Sequence, residues 1–260
     1  MKVGRFSHEG ALAYGVLDEE AQEWVLLKGD PMFAGYDTTG ERAKITEVTL
    51  VAPVIPRSKV VGVGKNYHDH VAEMKSVTGG DAPKEPLLFL KPNTAVIGPN
   101  EPIVLPAISQ RVEHEGELVA VIGKVAKNVP VEKALDYVFG YTIGNDVSAR
   151  DLQVGDGQWA RAKGFDTFAP LGPVIETEFD PTDAALQVRV NGEIRQDGNT
   201  GDLIFGIPQI IAHASAAFTL LPGDVIMTGT PAGVGPLVAG DTVEVEIEGL
   251  GILRNPVKAS

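Results

Sequence analysis

The sequence predicts an α+β protein built mainly from strands, antiparallel or mixed, with a few helices. Strand-length apolar stretches outnumber helix-length amphipathic ones, and no βαβ rhythm repeats along the 260 residues. Residues 242–248 alternate polar and apolar at period two. Residues 186–190 followed by Asn191-Gly192 carry a hairpin signal, because both residues of that turn tolerate positive φ.

In chain order, residues 1 to about 55 read as a small β-rich unit. Its apolar stretches, 11–17 and 23–27, are punctuated by Gly, Asp and Pro. Pro53 and Pro56 mark a linker. Residues 59–64 read as a buried strand leading into a Gly-Lys-Asn-Tyr turn. Residues 70–74 predict a short helix, and the Gly-rich segment 76–83 predicts a mobile lid. Strands follow at 86–91 and 112–124. Residues 131–138 predict a helix with Val131, Ala134, Leu135 and Val138 on one face, bounded by Pro130 and Gly140. Residues 141–148 read as a strand ending near Asp146. Residues 207–218 predict a helix with Pro208 in its first turn, and 224–228 a strand.

Glu115 and Glu117 lie inside an apolar, strand-like run, one residue apart. Strand side chains alternate, so the two acids share a face, and Gly116 leaves room on the other. Like carboxylates held side by side repel, and one is expected to take up a proton. A divalent cation removes that conflict. Together with Asp146, the pair offers an all-oxygen donor set suited to Mg²⁺ or Mn²⁺.

His70 and Glu73 are helix neighbours, so Glu73 can hold the imidazole as a general base for water; the alternative is an exposed His–Glu contact. His68 falls on another face, and His114 points away from the two glutamates. His8 and His213 have no site company. Arg150, Gln153 and Lys163 follow Asp146; they either meet a substrate carboxylate and a developing enolate or bridge to Asp151 and Asp156. The loop 228–235 is Gly-rich but lacks the Lys-Ser/Thr ending of a phosphate loop. Its Thr230 either meets a ligand or serves a structural turn.

The net charge of −13 argues against a nucleic-acid partner. No apolar run is long enough to span a membrane. Cysteine is absent, which excludes disulfides and thiolate ligands and fits a cytoplasmic protein.

Six ordered motifs then carry a resemblance: Gly64-Lys65-Asn66-Tyr67 with His70 and Glu73; Phe89-Leu90-Lys91-Pro92; His114-Glu115-Gly116-Glu117-Leu118; the stretch 144–153; Lys163-Gly164-Phe165-Asp166; and Thr228-Gly229-Thr230-Pro231. From about residue 58 to the end the chain resembles the short branch of the fumarylacetoacetate hydrolase family. The first 55 residues look like the N-terminal extension of some bacterial members. The resemblance implies a mixed β-sandwich roll, a homodimer, and Mg²⁺ or Mn²⁺ held by Glu115, Glu117 and Asp146. It implies His70 and Glu73 as a water-activating dyad on a lid, and Arg150, Gln153, Lys163 and Thr230 as substrate-contacting residues. The implied chemistry is cleavage of a C–C bond of a 2-oxo acid or diacid through a pyruvate enolate on the metal, as in acylpyruvate hydrolysis or oxaloacetate decarboxylation. The alternatives are 2-hydroxyhepta-2,4-diene-1,7-dioate isomerisation and a non-catalytic, metal-stabilised binding protein.

Overall fold

The computed structural model describes residues 1–260, the side chains of Ser76 and Thr78 excepted. The fold is mixed α+β and mostly strand. Its largest sheet runs, edge to edge, through Thr38–Lys44, Glu23–Leu27, Ala11–Asp18, Lys2–His8, Ala169–Glu176, Val138–Asn145, Gly116–Ile122, Val225–Met227, Val60–Gly64 and Leu87–Lys91. The neighbours are antiparallel except Val225–Met227 and Val60–Gly64, which run parallel. A five-stranded sheet holds Glu193–Asn199, Ala185–Val190, Thr242–Ile247, Gly251–Ala259 and Ile103–Leu105. A three-stranded sheet joins Ser148–Ala149, Val112–His114 and Gly235–Pro236.

The main core lies between the first two sheets. Leu118, Ala120 and Ile122 from the large sheet and Leu186, Val188, Val243, Val245 and Ile247 from the five-stranded sheet belong to one buried cluster. The two faces meet tightly at Gly116, where a β-carbon would lie 2.3 Å from Val188 Cγ2 and 3.0 Å from Val245 Cγ1. A strand buried on both faces reads as a continuous apolar run, and residues 116–122 are all buried.

The first 50 residues are strand-rich, but they do not form an isolated sheet. Lys2 and Val3 pair with Glu176 and Ile175, so these strands continue the large sheet. Asn191 and Gly192 both have positive φ, as the hairpin signal requires.

Three local expectations change. The helix expected at 70–74 spans His68–Thr78 and takes in the start of the segment read as loop. Residues 131–137 form a 3-10 helix rather than an α-helix. The expected apolar face does not form: Ala134 is buried, while Val131 and Leu135 are each 47% exposed. The run 112–124 is not one strand. It breaks at Glu115, where Val112–His114 joins one sheet and Gly116–Ile122 another. No described helix is long and apolar enough to cross a membrane.

Candidate active site

Glu115, Glu117 and Asp146 each offer a carboxylate oxygen within 4.8 Å of the others. Two backbone devices bring them together. Gly116 pairs with Asn145 across neighbouring strands, so Asp146, one residue past its strand end, lies beside Glu115. The Asp146 amide donates to the Glu115 carbonyl at 2.8 Å, and the Glu115 amide donates to Asn145 Oδ1 at 2.9 Å. The strand break at Glu115 therefore does not scatter the acids.

Cations surround this cluster. Lys163 Nζ donates to Glu115 Oε2 at 2.8 Å, to Ser148 Oγ at 2.8 Å and to Asp146 Oδ2. Lys91 Nζ donates to Asp146 Oδ1 and to the Val147 carbonyl. Arg150 reaches Glu115 Oε1 and Gln153 Oε1, and its Nε donates to Glu113 Oε2 at 2.7 Å. Burial opposes ionisation of Glu115, but Lys163 and Arg150 outweigh it and hold the carboxyl well below its usual range. Glu117 has less help. Its Oε2 accepts from the Gly229 amide at 2.7 Å. Burial, with Asp146 and Glu115 beside it, pushes its carboxyl well above the usual value. A divalent cation fits this donor set: it would answer the charge that the protein's own cations leave unmet at Glu117.

The three acids, His70, Arg150, Gln153, Lys163 and Thr230 all line one cleft, with Lys65, Met74 and Trp159 also on its wall. His70 is 7% exposed, and its Nδ1 lies 3.3 Å from Glu73 Oε2. Glu73 is itself anchored, accepting from the Gly233 amide at 3.0 Å. An anchored carboxylate on Nδ1 favours the tautomer whose lone pair is on Nε2. His68 is exposed, outside the cleft. His114 is buried and bonds Gln196 at 3.0 Å, so it is not one of the clustered donors. Thr230 Oγ1 donates to the Gly116 carbonyl at 2.8 Å and accepts from Gln196 Nε2 at 2.7 Å, so it fixes its own loop against the strand of the acids. Arg150 does not bridge to Asp151, which instead accepts from Ser109 and the Gln110 amide.

Sequence reasoning assigned no role to Lys91, which it read only within the Phe89–Pro92 motif, nor to Glu113 and Gln196. Each is at most 1% exposed and sits directly behind a cleft residue. The available signal was Lys91-Pro92 closing an apolar strand, which reads equally well as a solvated strand end.

A family model described as fumarylacetoacetate (FAA) hydrolase, C-terminal, matches residues 59–258. The chain belongs to the fumarylacetoacetate hydrolase family. A second model, Rv2993c-like, N-terminal, matches residues 1–53. Protein Rv2993c of Mycobacterium tuberculosis is 50% identical, over 99% of this chain and 98% of that protein. The mitochondrial oxaloacetate tautomerase fahd2 of Xenopus laevis is 44% identical, over 82% of this chain and 69% of that one. Among solved family structures, 5-carboxymethyl-2-hydroxymuconate delta-isomerase from Mycobacterium smegmatis superposes with a TM-score of 0.92 at 47% identity over the full length of both chains. Maleylpyruvate hydrolase from Sphingobium sp. SYK-6, in complex with manganese(II) and pyruvate, superposes with a TM-score of 0.80 at 32% identity, again over both full lengths. Enzymes of the fumarylacetoacetate hydrolase family thus include isomerases, hydrolases and tautomerases.

Proposed function

We propose that this protein is a Mg²⁺- or Mn²⁺-dependent enzyme that cleaves a C–C bond of a 2-oxo (1,3-dicarbonyl) acid, in the manner of an acylpyruvate hydrolase or oxaloacetate decarboxylase. The observation that carries this reading is the meeting, in one cleft, of three clustered carboxylates, the buried Lys163 ammonium and the His70–Glu73 pair. Glu115, Glu117 and Asp146 would hold the cation. When bound, it would supply a Lewis acid for the oxygens of a 2-oxo acid. Lys163 adds fixed positive charge where negative charge grows in the transition state. Arg150, Gln153 and Thr230 shape the substrate side of the cleft.

His70 Nε2 takes a proton from water, and Glu73 steadies the resulting imidazolium. The hydroxide adds to the C4 carbonyl. The C3–C4 bond then breaks with its electron pair moving to C3, which is reprotonated to give pyruvate and a carboxylic acid. Where C4 is a carboxylate, the same electron movement releases CO₂, and no water is needed.

A second reading is supported by 2-hydroxyhepta-2,4-diene-1,7-dioate isomerase from Mycobacterium marinum, a solved relative at 46% identity and a TM-score of 0.90. The same cleft would move a double bond of 2-hydroxyhepta-2,4-diene-1,7-dioate without breaking the chain. A panel of acetylpyruvate, oxaloacetate and that dienoate, run with Mg²⁺ or Mn²⁺, separates the two. Pyruvate release from the first two substrates is expected. An ultraviolet shift on the dienoate with no pyruvate from any substrate would establish the isomerase. No turnover at all, with unfolding on chelation, would leave a metal-stabilised binding protein.

A further inference from the structure

We infer that Lys65 selects 2-oxo substrates that carry a second carboxylate. The inference rests on the reading of the cleft as a 2-oxo acid site. Three cationic side chains line the cleft: Arg150, Lys163 and Lys65. The first two are committed, since each bonds Glu115. Lys65 differs. Its ammonium donates to the Gly79 carbonyl, and no carboxylate pairs with it among the described residues. An ammonium has three donors, so one carbonyl leaves capacity for an anion.

Its backbone placement is specific as well. Lys65 has φ +57, a left-handed conformation disfavoured for a residue with a β-carbon. It turns the chain between the Val60–Gly64 strand and the His68–Thr78 helix, which carries His70 and Glu73. Gly79, its acceptor, is the C-cap of that same helix. Lys65 thus ties the far end of the dyad helix back to the cleft wall. A distal carboxylate bound at Lys65 would be read by the group that also fixes this helix.

The test uses the Mn²⁺-loaded protein and two unreactive probes of equal chain length, 2-oxoglutarate and 2-oxopentanoate, which differ only in the distal carboxylate. Calorimetry on the wild type is expected to give about tenfold tighter binding of the diacid, the scale of one charge-assisted hydrogen bond. Lys65→Met keeps a side chain of similar length and the same backbone requirement. It should bring the two affinities together, and Lys65→Arg should restore the preference. Melting temperatures of all three proteins, with and without Mn²⁺, report whether the fold and metal site survive. A preference retained in Lys65→Met, or none in the wild type, would overturn the inference alone. So would equal weakening of both probes in Lys65→Met, which assigns Lys65 a purely structural tie. Binding of neither probe by the Mn²⁺-loaded wild type would overturn the 2-oxo acid reading itself, and this inference with it.

Discussion

At the residue scale, the cleft divides its acids by how they are answered. Glu115 has two cationic partners, whereas Glu117 has a backbone amide and two like charges nearby. A cation arriving at Glu117 must compete with a proton. Its raised carboxyl binds the proton until pH climbs through that value, so Mn²⁺ affinity is expected to fall as the medium is acidified. Titration of Mn²⁺ at several pH values, with the released protons counted, checks this. Asp146→Ala is expected to weaken Mn²⁺ binding by at least about tenfold, since even an indirect partner of a ligand costs that much. Turnover should vanish with it. Full activity of this variant after EDTA treatment would sink the assignment of Asp146.

The acids were legible in the sequence because period-two alternation and an apolar setting are visible without coordinates. Of their partners, Arg150 and Lys163 were legible as cations close to the acids, but the pairing with Lys91 was not. Lys91 is a lysine at the end of a strand, and lysine is almost never fully buried. Only the packing of Leu87–Lys91 against Val60–Gly64 shows that its ammonium turns inward to Asp146. The Thr230–Gln196–His114 chain joins residues 34 and 82 positions apart, which no local pattern reports.

At the element scale, Asp224 governs how two strands enter the sheet. Its buried carboxylate accepts from the amides of Ser58, Lys59 and Leu221 and from the Ser58 hydroxyl, and it pairs with Lys59 at 2.8 Å. Burial opposes its ionisation, but these donors hold the carboxyl below its usual value. A depressed folded value contributes stability that is present above the unfolded value and lost as pH falls through the folded one. Asp224→Ala strands the Lys59 charge and several amides, so a loss of about 3 kcal/mol or more is expected in urea unfolding at neutral pH. The wild-type advantage should shrink as the medium becomes strongly acidic. For the His68–Thr78 helix, oxalate with Mn²⁺ is expected to raise hydrogen-exchange protection over residues 66–83. Equal protection with and without oxalate would remove the lid from the proposal. The 3-10 helix at 131–137 was misread because apolar spacing near Val131 fits either helix type.

At the scale of the whole molecule, the sandwich closes over Gly116. Gly116→Ala places a methyl into Val188 and is expected to cost about 1–3 kcal/mol. Because the residue lies between Glu115 and Glu117, Mn²⁺ affinity should fall together with the melting temperature. The large sheet also ends at Leu87–Lys91, an edge strand with Leu87 40% and Leu90 44% exposed. Apolar edges invite a partner strand or surface. We propose on this ground the homodimer that the family resemblance implies, and light scattering is expected to return twice the 27.5 kDa chain mass. The strand-rich character of the fold was readable from turn residues and short apolar runs. The order of the strands was not, because pairings such as Lys2 with Glu176 join the two ends of a long stretch of chain.

The parallel pair in the large sheet has a further consequence. Val60–Gly64 and Val225–Met227 both deliver their C-terminal ends to the cleft, one leading into the dyad helix and the other into the Thr228–Thr230 loop. Asn66 fastens the two, its Nδ2 donating to the Thr228 carbonyl at 2.7 Å. Glu117, by contrast, belongs to an antiparallel strand in the interior, and Asp146 follows directly on its neighbour. The loop after Val225–Met227 also holds the acids, since the Gly229 amide donates to Glu117 and the Thr230 hydroxyl to the Gly116 carbonyl, so a substitution there moves the carboxylates and the dyad helix together.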